Sequence, residues 1–222
     1  MKVIITGCSG MVGKGVLLEC LDAPEIQEVL SLGRRKLNLS HPKLKELVID
    51  NFEDYSAVQE QLKGYDACYF CLGISSAGMK EAEYSKITYD FTLALARTLV
   101  QLNPQMLFTY VSGAGTDSTE KGRSMWARVK GKTENDLLSL GFRQAVMFRP
   151  GMIIPERGIK SQTKSYQFMY DNFMWLVKLI RFISPNSVVT TTDIGRAMVY
   201  LLNRKSEKKI LSPGDILSIS KS

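Results

Sequence analysis

The chain has 222 residues, of which 45% are hydrophobic and 23% charged, and a formal net charge of +7. A chain of this size and composition buries enough apolar surface to fold without disulfides or metals, which excludes global disorder. No apolar run reaches the roughly 20 residues of a membrane-spanning helix, and the start lacks a signal-peptide pattern, so we expect a cytoplasmic protein.

Short apolar strands alternate with helical segments over the first two thirds of the chain. The predicted strands are 3–6, 29–32, 47–49, 67–72, 106–111 and 145–148. The predicted helices are 10–21, 54–62, 81–102 and 126–140. This alternation predicts an α/β fold, a Rossmann-type, doubly wound parallel sheet with helices on both faces.

The pattern changes after Pro150. We predict an NAD(P)-binding Rossmann core over 1–150 and a small C-terminal, substrate-side lobe over 151–222 that returns to the core as part of one structural unit. Within the lobe, the predicted elements are a loop at 151–162, helices at 166–183 and 193–202, and an edge strand at 215–219.

Histidine and cysteine chemistry is restricted by the sequence. The single histidine, His41, lies in a polar loop beside Pro42, which excludes a multi-histidine metal site. Cys68 and Cys71 have the spacing of a metal or redox pair, but residues three apart on a strand point to opposite faces. We therefore predict no metal site and reduced cysteines in the core.

A glycine-rich loop follows the first predicted strand and opens the first predicted helix. Glycines here permit a tight turn and let backbone amides approach a pyrophosphate, and the helix N-terminus adds a partial positive charge. Lys14 is followed by Gly15 rather than Ser or Thr, which excludes a Walker A loop. The predicted dinucleotide-binding residues of this loop are Gly7, Ser9, Gly10, Met11, Val12 and Gly13.

The residues after the second strand bear on which dinucleotide binds. No acidic residue is present to accept hydrogen bonds from an NAD ribose, and Arg34 and Arg35 follow instead. A planar guanidinium suits the 2′-phosphate of NADP, and Lys14 offers a second positive charge. We therefore predict NADP(H) in preference to NAD(H), with a merely solvated charge cluster as the alternative.

Four motifs together resemble those of one known family. They are Thr6-Gly7-x-x-Gly10-x-x-Gly13, Gly33-Arg34-Arg35, Val129-Lys130-Gly131 and Arg149-Pro150-Gly151. The chain resembles, over nearly its whole length, the atypical and extended short-chain dehydrogenases/reductases, and most closely the NAD(P)-binding epimerase/dehydratase-like group. The resemblance implies further cofactor contacts from Asp50, Asn51, Leu72, Gly73, Lys130 and Pro150.

The resemblance implies a catalytic Ser-Tyr-Lys arrangement, in which tyrosine transfers a proton while lysine holds the ribose and lowers the tyrosine pKa. By this resemblance Lys130 is a catalytic residue, but Trp126 fills the tyrosine position, and an indole N–H has no useful acidity. Ser112 is the candidate serine, although the usual position aligns with Gly113, and Thr116 is another candidate. The catalytic half of the motif set is thus degraded.

Three functional hypotheses remain open. In the first, an acid from the second lobe, Tyr166 or Tyr170, replaces the missing tyrosine. In the second, the hydride acceptor, such as a quinone, needs little acid catalysis from the protein. In the third, the protein binds NADP(H) without turnover. We predict an oxidoreductase with a carbonyl- or quinone-type small-molecule substrate. The alternative is a non-catalytic, NADPH-binding redox-sensing regulator.

The positive charge is dispersed along the chain, so a bound dinucleotide and a solvated surface explain it better than nucleic acid. The segment 173–182 combines large apolar residues with Lys178 and Arg181. We predict a lid or homodimer helix there, and peripheral contact with a membrane is the alternative.

Overall fold

The computed structural model describes residues 1–159 and 185–222. The strands in these ranges are β1 (Lys2–Thr6), β2 (Glu28–Gly33), β3 (Leu44–Val48), β4 (Ala67–Phe70), β5 (Leu107–Val111), β6 (Gln144–Phe148), β7 (Met152–Ile154), β8 (Val188–Thr190) and β9 (Ile210–Leu211). Seven of these strands form one parallel sheet in the order β3-β2-β1-β4-β5-β6-β9. The remaining two, β7 and β8, form a separate parallel pair.

Helices cover both faces of the seven-stranded sheet. The α-helices of the described ranges are α1 (Met11–Asp22), α2 (Glu81–Ser85), α3 (Phe91–Leu102), α4 (Met125–Ser139), α5 (Thr191–Leu202) and α6 (Pro213–Ser220). A π-helical turn at Lys86–Asp90 joins α2 to α3, so the predicted helix 81–102 is confirmed as three helical pieces. The predicted helix 54–62 is a 3-10 helix at Ser56–Leu62, and another lies at Pro185–Ser187.

Each face of the sheet buries its own apolar cluster, because successive strand side chains point to opposite faces. Ile5 packs with the cluster beneath α1, α5 and α6, whereas its neighbour Ile4 packs with the cluster beneath α3 and α4. Cys68 belongs to the second cluster and Cys71 packs against the first. This arrangement confirms that the two cysteines lie on opposite faces.

The strand order confirms the predicted Rossmann-type fold. From β1 the chain runs outward through β2 and β3, then returns to place β4 on the other side of β1. The loops after β1 and β4 therefore diverge to opposite faces, which leaves a crevice at the carboxyl edge of the sheet. Ligands of open α/β sheets bind in such a crevice.

The C-terminal residues join this same body. A Cβ on Gly15 of α1 would lie 2.5 Å from Cβ of Thr191, and a Cβ on Gly195 would lie 2.6 Å from Cγ of Glu19. Glycine at both positions thus lets α1 and α5 pack closely, and β9 pairs with β6. The assignment of 151–222 to substrate binding stays a prediction.

Two predictions for this part of the chain are wrong. The predicted edge strand 215–219 is helix α6, because Ser212 accepts a hydrogen bond from the Asp215 amide, and Pro213 begins the helix. The predicted loop 151–162 contains β7, which pairs with β8.

Some predictions cannot be compared with the structure. The predicted helix 166–183, with Tyr166 and Tyr170, and the apolar segment 173–182 lie outside the described residues. In the two described ranges, no helix combines the length and apolarity needed to cross a membrane.

Candidate dinucleotide site

The predicted site residues follow successive strands of a parallel sheet, so the fold brings them to one edge. The glycine loop follows β1, Arg34 and Arg35 follow β2, and Asp50 and Asn51 follow β3. The remaining predicted residues on this edge are Leu72 and Gly73 after β4, Ser112 after β5, Pro150 after β6, and Lys130 on α4, which packs against β6.

The glycine loop is closed tightly against the start of α1. Gly7 has a φ of +72°, a left-handed conformation that favours glycine, and the Gly10 amide donates to the Gly7 carbonyl at 2.8 Å. A Cβ on Gly13 would lie only 2.2 Å from that same carbonyl oxygen. The motif spacing is therefore required by backbone contact, and larger residues would push α1 away from the loop.

The N-terminus of α1 carries positive charge that its own first turn does not neutralise. Gly10 is the N-cap and offers no side-chain cap, and the first turn contains no acidic residue. The first amides of a helix have no intrahelical partner, and the helix dipole adds positive potential there. These are the features of an anion site at a helix start.

Thr6 was not predicted as a site residue, but its hydroxyl organises the crevice. Its Oγ1 accepts hydrogen bonds from the amides of Cys71 and Leu72, each at 3.2 Å. A Cβ on Gly7 would lie 2.6 Å from the Cys71 carbonyl oxygen, so the β1 and β4 ends are in close contact. The sequence signal for this role was a threonine at a strand end, which is too common in strands to indicate the role by itself.

Arg34 and Arg35 are exposed beyond the end of β2. Neither forms an ion pair among those found in residues 1–159 and 185–222. Next to them, Asp50 and Asn51 are exposed after β3, and Asn51 Oδ1 accepts a hydrogen bond from the Glu53 amide at 2.9 Å. This side of the crevice is open and basic.

Lys130 lies where α4 meets the end of β5. Its Nζ donates a hydrogen bond to the main-chain carbonyl of Ser112. A Cβ on Gly131 would lie 1.8 Å from the Asp117 carbonyl oxygen, so glycine there lets the helix contact the loop after β5. Burial lowers the pKa of Lys130 from 10.5 to about 8, and the charge of Glu134 acts in the opposite direction.

Ser112 and Lys130 are brought together, but the serine hydroxyl is already engaged. Ser112 is 7% exposed, and its hydroxyl donates to Oε1 of Glu134 at 2.5 Å. Glu134 in turn accepts hydrogen bonds from Arg149. Glu134 was missed by the sequence analysis, although its position four residues after Lys130 places both on one helix face.

Trp126 lies against the loop after β5. The nearest atom to a Cβ built on Gly115 would be Cη2 of Trp126, at 3.4 Å. Tyr84 and Tyr110 are each 1% exposed, and burial raises the pKa of both phenols. Neither is suited to exchange a proton with a substrate, so they do not replace the tyrosine that Trp126 displaces.

In the described ranges, none of the four cysteine thiols is activated as a nucleophile, and the histidine makes a local contact within its loop. Burial raises the pKa of the Cys8 thiol to about 12 and also raises the pKa values of the other three thiols. His41 accepts a hydrogen bond from the Lys43 amide at 3.2 Å in the predicted loop. Protonated, buried thiols are poor nucleophiles and poor metal ligands.

No family model matches this chain. Curated proteins match it in sequence, among them the following two. It is 27% identical to the protein FMP52 of Eremothecium gossypii, over all of this chain and 98% of that protein. It is 28% identical to HTATIP2 of Rattus norvegicus over 159 residues, which cover 70% of this chain and 64% of that protein.

Solved structures share the fold at low sequence identity. The UDP-glucose 4-epimerase of Thermotoga maritima, solved with UDP-glucose, has a TM-score of 0.70 and 13% identity, over 100% of this chain and 82% of that one. The enzyme WbmH of Bordetella bronchiseptica, solved with NAD+, has a TM-score of 0.65 and 16% identity, over 92% of this chain and 72% of that one.

The sequence relatives also correct one prediction. The FMP52 proteins of Eremothecium gossypii, Scheffersomyces stipitis and Candida albicans are named as mitochondrial, which overturns the expectation of a cytoplasmic protein. The predicted resemblance is confirmed: the chain is a relative of the FMP52 and HTATIP2 proteins and has the fold of the short-chain dehydrogenases and epimerases.

Proposed function

We propose that this protein binds NADP(H) at the carboxyl edge of its sheet and is an oxidoreductase acting on a carbonyl- or quinone-type small molecule. The observation that carries the proposal is the contact of Gly13 with the Gly7 carbonyl, which sets the uncapped N-terminus of α1 against the loop. That arrangement supports binding of a pyrophosphate. The NAD+ in the WbmH structure, on the same fold, gives further support.

The nucleotide extends from the glycine loop toward β2 and β3. Amides of the loop and of the first turn of α1 hold the pyrophosphate, and the guanidinium groups of Arg34 and Arg35 hold the 2′-phosphate. Because no ion pair found in the described ranges involves either arginine, little is lost when they bind a phosphate. The adenosine contacts we assign are Asp50, Asn51, Leu72 and Gly73.

The nicotinamide end lies toward β5 and β6, beside Lys130 and Pro150. The bound dinucleotide supplies hydride-transfer chemistry, and the protein supplies orientation and proton control. Lys130, held by the Ser112 carbonyl, contacts the ribose. Ser112 itself takes a supporting part here rather than the catalytic part that the resemblance suggests, because its hydroxyl donates to Glu134.

Trp126 favours a second candidate function. A tyrosine at this position is the family's acid, and an indole cannot take that part. A protein that kept the nucleotide site and lost the acid would bind NADPH without turnover. The alternative is therefore a redox-sensing regulator whose binding state follows the NADPH supply.

Turnover of NADPH with aldehydes, ketones and quinones separates the two functions. The parent chain, Trp126→Tyr and the matched control Trp126→Phe are compared after NADPH binding has been confirmed for each. Oxidation of NADPH by the parent with any acceptor class establishes the oxidoreductase. Binding without turnover by the parent and by Trp126→Tyr supports the regulator, and failure of the parent to bind either nucleotide contradicts both.

A further inference from the structure

A buried charged cluster lies directly behind Lys130. Glu134 is 0% exposed. Nε of Arg149 lies 3.1 Å from each of the two carboxylate oxygens and donates to them, and Nη2 of Arg149 donates a further hydrogen bond to Oε2. A carboxylate removed from water is costly unless it is paired and hydrogen-bonded in this way. The cluster ties α4 to the end of β6.

Ser112 connects this cluster to Lys130. Its hydroxyl donates to Glu134, while its main-chain carbonyl accepts the hydrogen bond from Lys130 Nζ. The Ser112 amide also donates to the Phe148 carbonyl at 2.9 Å, which fixes the residue between β5 and β6. Lys130 and Glu134 are therefore linked twice, by one turn of α4 and through Ser112.

The carboxylate also acts on the charge of the lysine. Burial lowers the pKa of Lys130, and the negative charge of Glu134 is the influence that raises it again. Arg149 is the other charged member of the cluster, and its guanidinium is paired with Glu134 itself. Without Glu134, the burial of Lys130 would act unopposed and favour the neutral amine.

Three acidic groups on α4 or near it have partners of their own. Glu81 of α2 pairs with Arg128 at 2.8 Å. The hydroxyl of Tyr89, on the π-helical turn, donates to Asp136 at 2.5 Å. In the loop after β5, the Asp117 carboxylate accepts hydrogen bonds from nearby residues of its own loop. Among the described residues, Glu134 is the carboxylate whose charge is found to raise the pKa of Lys130.

We propose that Glu134 is a positioning residue for Lys130: together with Ser112 and Arg149 it fixes the ammonium at the end of β5 and keeps it protonated at neutral pH. The inference rests on the proposed function for what Lys130 does toward a nucleotide. The charge state of Lys130 is nevertheless measurable without any nucleotide, which keeps the two proposals separable.

Competitive labelling with acetic anhydride measures this charge state, because only the neutral amine reacts. The full-length chain is labelled at a series of pH values without nucleotide, and acetylation of Lys130 is read by peptide mass spectrometry. In Glu134→Gln the midpoint should fall by roughly one pH unit, so that about tenfold more of the amine is neutral at a given pH below it. The matched control Glu81→Gln should leave the midpoint unchanged.

Conservative rescue distinguishes positioning from a merely structural effect. Glu134→Asp keeps the charge and should return the midpoint most of the way to the parent value, even if the variant is less stable. Where Glu134→Gln does not fold, the double variant Glu134→Gln with Arg149→Met removes the unpaired guanidinium and should still show a lowered midpoint. A midpoint equal to the parent's in the folded variants would overturn the proposal.

The labelling result also stands apart from the proposed function. A parent chain that binds no NADPH, but whose Lys130 midpoint falls in Glu134→Gln, would reject the nucleotide site and support the positioning unit. A parent chain that binds NADPH, with an unchanged midpoint in Glu134→Gln, would do the reverse.

Discussion

The polar groups on the two sides of the sheet's carboxyl edge differ in their exposure and in their hydrogen bonding. Around β1 and β2, the N-terminus of α1 has no side-chain cap and no acidic residue in its first turn, and Arg34 and Arg35 are exposed. Around β5 and β6, the polar groups of Ser112, Lys130 and Glu134 are buried or half-buried and bonded to one another.

This difference separates a surface prepared for a ligand from one that is complete by itself. The first amides of α1 and the exposed guanidinium groups gain partners when an anion binds, so substituting the arginines should change affinity and leave stability nearly intact. A buried ionic network loses stability when one member is removed. The glycine loop and the arginine pair lie on the open side, and Trp126 lies on the closed side.

The largest effect is expected on stability, at the closed side. Glu134→Gln should lower the free energy of unfolding by about 3–5 kcal/mol, because the Arg149 guanidinium keeps its charge and loses a carboxylate partner. Urea unfolding at neutral pH measures the change. Glu81→Gln removes an exposed partner of Arg128 and should cost less than about 1 kcal/mol. Equal losses would show that the Glu134 network is not special.

The next effect is on affinity, at the open side. In Gly13→Ala the new Cβ would lie 2.2 Å from the Gly7 carbonyl oxygen, so the loop must shift. The shifted loop no longer aligns its amides with a pyrophosphate, so NADPH affinity should fall roughly 10- to 100-fold in a calorimetric titration. The overpacking should also lower the free energy of unfolding by about 1–3 kcal/mol. Gly214→Ala is the control, since its nearest atom would be an ordinary 3.6 Å away. Unaltered NADPH affinity in Gly13→Ala would contradict the site.

The nucleotide preference depends on the arginine pair. The double variant Arg34→Ala with Arg35→Ala should bind NADPH roughly 10- to 100-fold more weakly, because one charged hydrogen bond from this exposed pair to the phosphate contributes about 1.5–3 kcal/mol. NADH affinity should change little. Lys205→Ala with Lys209→Ala removes the same charge from an exposed region and controls for long-range attraction. Equal losses for NADPH and NADH would remove the specificity argument.

Lys130 lies between the two sides, so Lys130→Met should change both the NADPH affinity and the free energy of unfolding, each by less than the variants above. NADPH affinity should fall roughly tenfold through loss of the ribose contact. The folded pKa is lowered from 10.5 to about 8, so the buried ammonium costs stability below pH 8 and that cost disappears as the pH rises toward 10.5. The stability of the parent relative to Lys130→Met should therefore increase over this window.

Unfolding of both chains at several pH values checks the sign of that dependence. A stability difference that falls as the pH rises above 8 would contradict the assigned pKa direction. Unchanged NADPH affinity in Lys130→Met would instead count against its place beside the ribose.

Most of the fold was predictable because local and long-range signals agree. The apolar runs at β1, β2, β4, β5 and β6 are short and bounded by turn residues, and a parallel sheet with a glycine loop after β1 satisfies all of them. The end of the chain was mispredicted because Ile216, Leu217 and Ile219 suit a strand as well as a helix. The capping pair of Ser212 and Asp215 decides for the helix.

The candidate site was predictable only at positions where the backbone accepts a single residue type. Glycine at position 13 is required by a backbone contact that any side chain would break, so its spacing carries information. Ser112 and Glu134 are not distinctive in this way, since their partners come from β6 and α4, remote in sequence. The long-range contact that commits the Ser112 hydroxyl is set by the fold, and no local pattern records it.

The decisive measurement is calorimetric titration of the unmodified 222-residue chain with NADPH and with NADH. We predict that NADPH binds and that it binds at least about tenfold more tightly than NADH, because the arginine pair contacts the 2′-phosphate. Binding of neither nucleotide would contradict the interpretation of the glycine loop and of the open side of the crevice.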